Sequence, residues 1–238
     1  PRPALWPPYP PGAGRAGAPP PPPPPSPPPP ADPPPAPILI LAAHPELRHS
    51  RVSRRLMEVV RGRPDVAVRD LYAHYPDFVI DVAAEQAAAA AARLIVWLHP
   101  IHWYGMPALM KLWVDEVLTL GWAYGRGGTA LHGKDLWLVV STGGTEAAYQ
   151  PDGYNRRRFD AFLPPYAQTA ALCGLRFLPP LVLHGAHEID DAAIEAHARR
   201  FVRLIDRHPD WHGLAPERRA PVAPAAEVPP RHRPVEED

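Results

Sequence analysis

Residues 38–42, Ile38-Leu39-Ile40-Leu41-Ala42, form an uninterrupted apolar run that stops just before His44-Pro45. A short run without alternating polar residues is typical of a strand buried on both faces, as in a parallel sheet. After a short loop, Ser50 can cap a helix that continues to Gly62. The apolar positions of that helix recur at helical spacing and are Val52, Leu56, Val59 and Val60. This stretch therefore predicts a strand, a loop and a helix, in that order.

The same alternation continues along the chain. The further predicted strands are Val66-Ala67-Val68, Leu94-Ile95-Val96-Trp97-Leu98, Leu136–Val140 and Leu178–Leu183, the last interrupted by Pro179-Pro180. The further predicted helices are Asp81–Ala92, a helix from Pro107 to Gly121 with Leu120 facing inward and an exposed Lys111–Asp115 pair, and a helix opened by Asp190. Alternating strands and helices imply right-handed crossovers, so the expected fold class is α/β with a doubly wound five-stranded parallel sheet.

Proline divides the chain into three parts. Of 238 residues, 38 are proline, and more than half of these lie in the first 37 positions. Because proline has no N–H and a fixed φ, residues 1–37 are expected to be a disordered Pro-rich segment. Residues 38–208 are predicted to form a single folded domain, and 209–238 a second disordered tail rich in proline and charge.

Composition excludes several classes of protein. The 25 Lys and Arg residues balance 25 Asp and Glu residues, so no overall basic field favours nucleic acid. The single cysteine, Cys173, excludes an intrachain disulfide, fits a reducing compartment and is expected to be a buried packing residue. The histidines lack the spacing of a metal site. With no apolar h-region after Pro1 and no long apolar stretch, we expect a soluble cytoplasmic protein without a membrane span.

The loop after the first strand leads into a helix N-terminus and carries hydroxyl groups. It reads His44-Pro45-Glu46-Leu47-Arg48-His49-Ser50-Arg51-Val52-Ser53. Free N–H groups at a helix start, the helix dipole and two serine hydroxyls can hold a phosphate. The loop has neither the GxxxxGK[ST] pattern of a P-loop nor the GxGxxG pattern of a dinucleotide site. In a simpler interpretation, Ser50 only caps the helix and His44 is an ordinary loop histidine.

The loop after the third strand places two large aromatic residues beside a glycine. It reads Pro100-Ile101-His102-Trp103-Tyr104-Gly105-Met106-Pro107. A planar cofactor could stack on these rings at the ligand-binding edge of the sheet. The alternative is that Trp103 and Tyr104 cover a hydrophobic end of the core or a subunit interface.

The loop after the fourth strand, Ser141-Thr142-Gly143-Gly144, lets the backbone approach a ligand without interference from Cβ atoms. Alone, a Gly-Gly pair is a weak signal, because most mark ordinary turns. Together the three loops combine phosphate-binding, ring-stacking and backbone-donor character at one edge. A phosphate, a ribityl-like spacer and a flat ring describe FMN, which would then carry the redox chemistry.

These motifs resemble the flavodoxin-like NAD(P)H:quinone oxidoreductase family, and most closely the ancillary subunits of glutathione-gated potassium-efflux systems, the KefF/KefG type. The resemblance covers nearly all of residues 38–208 and neither tail. The segments that carry it are His44-Pro45 with Ser50, Asp70-Leu71-Tyr72 through Ile80-Asp81, Trp97 to Asp115, Gly121–Gly125 and Thr142-Gly143-Gly144. It implies a flavodoxin-like fold, FMN as cofactor, NAD(P)H as co-substrate and a homodimer.

The resemblance also implies site residues. His44, Ser50, Arg51, Val52 and Ser53 would line the FMN phosphate and ribityl chain, Ile101, His102, Trp103 and Tyr104 the ring, and Ser141, Thr142, Gly143 and Gly144 its polar edge. Tyr149 matches the family tyrosine over the flavin and would be the catalytic residue that contacts the acceptor. Ser53 replaces a frequent asparagine, and Asn155 replaces a histidine of the mammalian enzymes.

The expected activity is two-electron transfer from NAD(P)H through FMN to a quinone by a ping-pong cycle. The alternative is a regulatory subunit that binds and activates a glutathione-gated potassium/proton antiporter at the inner face of the membrane, with redox activity secondary. The sequence does not decide whether the electron acceptor is a quinone or an azo or nitro compound.

Overall fold

The apolar runs form the strands of one parallel sheet. The computed structural model describes residues 36–211. Its strands are β1 (Ile38–Ala42), β2 (Val66–Asp70), β3 (Leu94–Pro100), β4 (Asp135–Ser141), β5 (Arg176–Phe177) and β6 (Leu181–Leu183). The order is β2-β1-β3-β4, and both β5 and β6 pair with β4 at the far edge. The predicted doubly wound parallel sheet is confirmed, and two short strands share its fifth position.

Pro179-Pro180 explains the split of the fifth strand. β5 pairs with the start of β4 at Asp135 and Leu136, and β6 pairs with its end at Val139 to Ser141. Since proline cannot donate to the ladder, the residues between the two strands leave the pairing pattern. The break stays at an edge, where a lost ladder bond is tolerated.

Residues 36–211 contain six α-helices, five between strands and one after the last strand. They are α1 (Val52–Val60), α2 (Leu71–His74), α3 (Val82–Ala91), α4 (Ala108–Val117), α5 (Pro164–Leu172) and α6 (Asp191–Asp206). Aspartate caps three of them, because the side chains of Asp70, Asp81 and Asp190 accept N–H bonds at the starts of α2, α3 and α6. At α1, the Ser50 Oγ accepts from the Ser53 N–H at 3.0 Å, as predicted for a cap.

The helices cover both faces of the sheet. On one face, Val52 and Leu56 of α1 and Phe201 of α6 pack on alternate residues of the central strands. On the other face, α3, α4 and α5 pack on the residues between them. The central strands are therefore buried on both sides, which is why they read as continuous apolar runs. Cys173 is buried in the second of these layers, as expected, and burial raises the pKa of its thiol.

Helix α4 ends earlier than the glycine signal indicates. It stops at Val117, and Leu120, predicted to face inward, is 71% exposed. Gly121 instead adopts a φ of +83° in the following turn. The predicted Lys111–Asp115 pair is confirmed on the exposed face.

A buried ionic network joins three elements beside the sheet. Glu85 of α3 is fully buried, and its Oε1 accepts from the Arg69 Nε of β2 at 2.7 Å. The same oxygen accepts from the Tyr75 hydroxyl at 2.6 Å, and Oε2 accepts from the Trp113 Nε1 of α4 at 2.7 Å. These donors satisfy the carboxylate, which is a requirement for burying a charge.

The predicted disordered segments, 1–37 and 209–238, lie almost entirely outside the described residues. The domain boundary at His208 stays a prediction. Trp211, just beyond it, packs edge-on against Trp137 with ring centroids 4.8 Å apart. Across residues 36–211, the helices are all too short or too polar to cross a membrane.

Candidate functional site

A cleft opens at the carboxyl ends of β1, β3 and β4, where a doubly wound sheet binds its ligands. Its volume is about 350 Å³, within the range of small-molecule sites. Nine residues predicted for the site line it: His44, Ser50, Arg51, Val52, Ile101, His102, Ser141, Thr142 and Gly143. Three loops far apart in sequence therefore meet, as the strand alternation predicted.

Five predicted site residues lie outside this lining. They are Ser53, Trp103, Tyr104, Gly144 and Tyr149. Ser53 is buried behind Ser50 in the first turn of α1, and Tyr149 is buried in an aromatic cluster. Their functional roles therefore stay predictions.

The first loop offers backbone donors at the start of α1. Among residues 36–211, the N–H groups of Arg51 and Val52 have no hydrogen-bond partner. Both residues line the cleft beside Ser50. With the positive end of the helix dipole they form a place for an anionic group.

The Arg51 side chain does not serve this anion site. Its guanidinium donates to the Ile189 carbonyl at 2.8 Å and to Asp191 Oδ1 at 2.7 Å, at the start of α6. Arg51 therefore contributes backbone to the cleft, while its charge ties α1 to α6.

The second loop is a tight hairpin turn with two strained residues. His102 and Gly105 exchange backbone hydrogen bonds of 3.1 and 2.9 Å. Between them, Trp103 and Tyr104 have φ values of +48° and +64°. Positive φ at both central positions defines a type I′ turn, which normally carries Asn-Gly rather than two aromatic residues. Trp103 is 93% exposed beside the cleft, so this strain presents an aromatic ring to the surface.

Backbone hydrogen bonds join the third loop to the end of β6 and the segment that follows it. Thr142 N–H donates to the Leu183 carbonyl, and Ala186 N–H donates to the Thr142 carbonyl, both at 2.9 Å. The N–H groups of Gly143 and Gly144 have no partner within the described part of the chain. A Cβ added to Gly143 would lie 3.1 Å from His187 Nε2, so glycine fits this close approach.

Histidines dominate the titratable lining of the cleft. The Glu46 N–H donates to His44 Nδ1 at 3.1 Å, which leaves the imidazole proton of neutral His44 on Nε2. Burial lowers the pKa of His44, and the neighbouring His102 lowers it further. His44 is therefore neutral and able to donate through Nε2. Within residues 36–211, no three His, Cys, Asp or Glu side chains are grouped so as to hold a metal ion.

Five lining residues were not predicted from the sequence: Glu46, His49, Pro100, Ala186 and His187. The first three adjoin predicted residues in the same loops. Ala186 and His187 follow the fifth strand position, whose carboxyl end reaches the same edge. The rule that placed the other three loops could have found them.

An aromatic cluster stands next to the cleft and contains Tyr104, Tyr149, Phe159, Phe162 and His184. Tyr104 stacks on Phe162 at 5.0 Å, and Tyr149 meets Phe162 and Phe159 edge-on at 6.0 and 5.5 Å. Burial raises the pKa of Tyr149, so its phenol stays protonated near neutral pH and can donate a hydrogen bond.

The sheet order, with a cleft at the carboxyl ends of its strands, defines a flavodoxin-like protein. A model of a family with a flavodoxin-like fold matches residues 36–205, and the chain belongs to this family. The resemblance seen in the motifs is thereby confirmed.

Individual proteins within this fold family are also similar to the chain. The chain is 49% identical over 168 residues to the glutathione-regulated potassium-efflux system ancillary protein KefF of Citrobacter koseri, covering 71% of this chain and 94% of that protein. Among solved structures, the general stress protein 14 of Treponema denticola, in complex with FMN, superposes with a TM-score of 0.67 at 39% identity, covering 71% and 97% of the two chains. An NADPH-quinone reductase of P. pentosaceus superposes with a TM-score of 0.64 at 28% identity, covering 70% and 96%.

Proposed function

We propose that this protein is an FMN-dependent NAD(P)H:quinone oxidoreductase. The observation that carries the proposal is a set of N–H groups unpaired among the described residues: those of Arg51, Val52 and Gly143 at the cleft, and that of Gly144 next to it. The N–H groups of Arg51 and Val52 suit a phosphate, and those of Gly143 and Gly144 suit the polar edge of a flat ring. A similar chain of known structure holds FMN, and another is a quinone reductase.

In this proposal the protein binds and orients the cofactor. Ser50 and the α1 N-terminus hold the phosphate, the Ile101–Tyr104 turn lies along the ring, and Gly143 and Gly144 donate to its polar edge. FMN held by these residues would supply two-electron chemistry, in which a hydride from NAD(P)H would reach a quinone bound in the place that the nicotinamide had left.

Tyr149 is the proposed contact to the acceptor. Reduction of a quinone by hydride leaves an oxygen anion that needs a proton, and a phenol held protonated by burial is a donor for that oxygen.

Steady-state kinetics tests the activity. The purified protein, supplied with FMN, is assayed with varied NADPH at several fixed benzoquinone concentrations. Parallel double-reciprocal lines are the expected result, because one co-substrate leaves before the next binds. Intersecting lines would exclude a ping-pong cycle, and absence of turnover with bound FMN would exclude the activity.

A second candidate function rests on the 49% identity to KefF. We propose that the protein also acts as the ancillary subunit of a glutathione-gated potassium/proton antiporter, working in the cytoplasm at the inner face of the membrane through that partner. The test is co-purification with the antiporter encoded in the same genome, together with potassium efflux measured with and without this protein. An unchanged efflux rate would remove this function and leave the enzyme intact.

A homodimer is the proposed assembly. Several large apolar side chains are exposed, among them Phe78, Val79, Leu120 and, in the turn beside the cleft, Trp103. Large exposed apolar groups are typical of a protein interface when they form a patch. Sedimentation at micromolar concentration should give the mass of two chains, and a Trp103→Glu variant should sediment as one chain. A wild-type monomer at that concentration would contradict the assembly.

A further inference from the structure

The side chain of His184 does not line the cleft, but it contacts the loop that contains Gly143 and Gly144. It follows β6, and its Nδ1 lies 2.9 Å from the hydroxyl of Thr142. Thr142 is almost fully buried at the end of β4, and its Oγ1 lies 2.7 Å from the carbonyl oxygen of Gly144. A continuous chain of polar contacts therefore runs from His184 through Thr142 to the Gly144 peptide.

The two contacts fix the proton positions. A threonine hydroxyl has one hydrogen, and the Gly144 carbonyl can only accept. Both contacts are satisfied when Thr142 donates to Gly144 and His184 donates from Nδ1 to Thr142. The neutral His184 ring is thereby assigned the tautomer with its proton on Nδ1.

These polar contacts hold the Gly143–Gly144 turn in one orientation. The Gly144 carbonyl accepts from the Thr142 hydroxyl and also from the Gly185 N–H at 2.9 Å. Two donors keep the Gly144–Thr145 peptide plane in place after the glycines, and the Ala186 N–H holds the Thr142 carbonyl, which shares its peptide plane with the Gly143 N–H. The turn is thus restrained on both sides, while the N–H groups of Gly143 and Gly144 stay unpaired among the described residues. Because glycine has little intrinsic backbone preference, such a turn needs external restraint to stay preorganised.

We propose that His184 is a positioning residue that acts through Thr142 to preorganise the Gly143–Gly144 N–H groups for the cofactor ring. The inference rests on the proposed function, since it concerns affinity for FMN. The competing explanation is that His184 serves only as packing, because its ring also lies 5.3 Å from Tyr149 and 5.4 Å from Phe159.

Two substitutions separate the donor from the ring. His184→Asn keeps an N–H donor at about the position of Nδ1 and removes the ring. His184→Phe keeps a ring and removes the donor. If His184 acts through its donor, the Phe variant should bind FMN about tenfold more weakly and the Asn variant within about threefold of the wild type. The reverse order of affinities would show a packing role and overturn the proposal.

A double-mutant cycle tests whether the effect passes through Thr142. Thr142→Val keeps the shape of the side chain and removes the hydroxyl, so it should weaken FMN binding about tenfold. Adding His184→Phe to this variant should weaken FMN binding by less than about a further twofold, because the chain of polar contacts is already broken. Full additivity of the two losses would contradict coupling through Thr142. Binding is read from the quenching of FMN fluorescence, and thermal melting of each variant reports whether it folds.

The cofactor-free protein supplies an independent readout. Long-range ¹⁵N–¹H spectra should show His184 with its proton on Nδ1, and His184→Phe should shift the Gly143 and Gly144 amide signals more than His184→Asn. A proton on Nε2 in the wild type would overturn the inference even if FMN binds. Failure of the wild type to bind FMN would instead reject the proposed function, and the tautomer would still decide the inference.

Discussion

The Tyr104 hydroxyl donates to Asn155 Oδ1 at 3.2 Å, which links the loop after β3 to the segment after β4. The Tyr104 ring also stacks on Phe162, which meets Tyr149 edge-on. Asn155, which by the family resemblance stands where the mammalian enzymes carry a histidine, holds Tyr104. Its amide does not ionise near neutral pH and so cannot act as an acid, which leaves Tyr149 as the proposed donor to the acceptor on this side.

Tyr149→Phe should lower kcat/KM for quinone by about tenfold to a hundredfold, because the acceptor oxygen loses its donor. FMN affinity should stay unchanged, since Tyr149 lies outside the cleft lining. The matched control is Tyr166→Phe, a buried tyrosine whose hydroxyl has no partner among the described residues. Equal activity of the two variants would remove Tyr149 from the reaction.

Trp103→Asn should stabilise the cofactor-free protein by about 1 kcal/mol. Tryptophan at a φ of +48° is strained, and asparagine tolerates this conformation. The same change should weaken FMN binding, because the ring that the strain presents is lost. Trp103→Ala is the control, since it loses the ring and keeps most of the strain. Urea unfolding of the three proteins makes the comparison, and a less stable Asn variant would refute the account of the turn.

Glu85→Gln should destabilise the fold by about 3–5 kcal/mol, because the buried charge of Arg69 would lose the carboxylate charge that Glu85 supplies. The control is Glu195→Gln, which removes the carboxylate charge from the half-exposed Arg55–Glu195 pair and should change stability less. Denaturant midpoints of both variants provide the measurement. Similar midpoints for the two would mean that the buried network is not important for stability.

Stability should fall as the pH drops from about 6.5 to 4. Burial lowers the pKa of His99 from 6.5 to about 4, so below pH 6.5 the unfolded chain takes up a proton that the folded protein excludes. The stabilisation is complete above pH 6.5, and about 3 kcal/mol is lost by pH 4. His99→Phe keeps a ring against Tyr166 and should flatten this part of the profile. A profile that keeps its slope in the variant would assign the loss to other groups, of which His197 is one with a similarly lowered pKa.

The central sheet was predictable because β1, β3 and β4 are buried on both faces and lie next to each other. Their apolar runs can be recognised as strands without any information about the rest of the chain. Helix α5 was missed because its residues, Pro164–Leu172, carry proline, alanine and threonine without an apolar stripe. The prediction that Leu120 faces inward was wrong. Apolar residues continue at helical spacing beyond Val117, but the helix already ends there.

The cleft was predictable as a meeting of loops, because parallel strands end at one edge. Side-chain directions were not. Sequence cannot show that Arg51 is drawn to Asp191, since the two residues lie far apart along the chain. Nor can it show the contact between His184 and Thr142, which depends on how β6 pairs with the end of β4.

If the proposed function is correct, the cleft binds FMN and the bound FMN takes up a hydride from NAD(P)H. The most direct test is the visible absorbance of the purified protein with FMN, followed under anaerobic conditions by titration with NADPH and then with benzoquinone. We expect the flavin band to bleach near one equivalent of NADPH and to return when the quinone is added. A protein that binds no FMN, or bound FMN that NADPH leaves oxidised, would contradict the account.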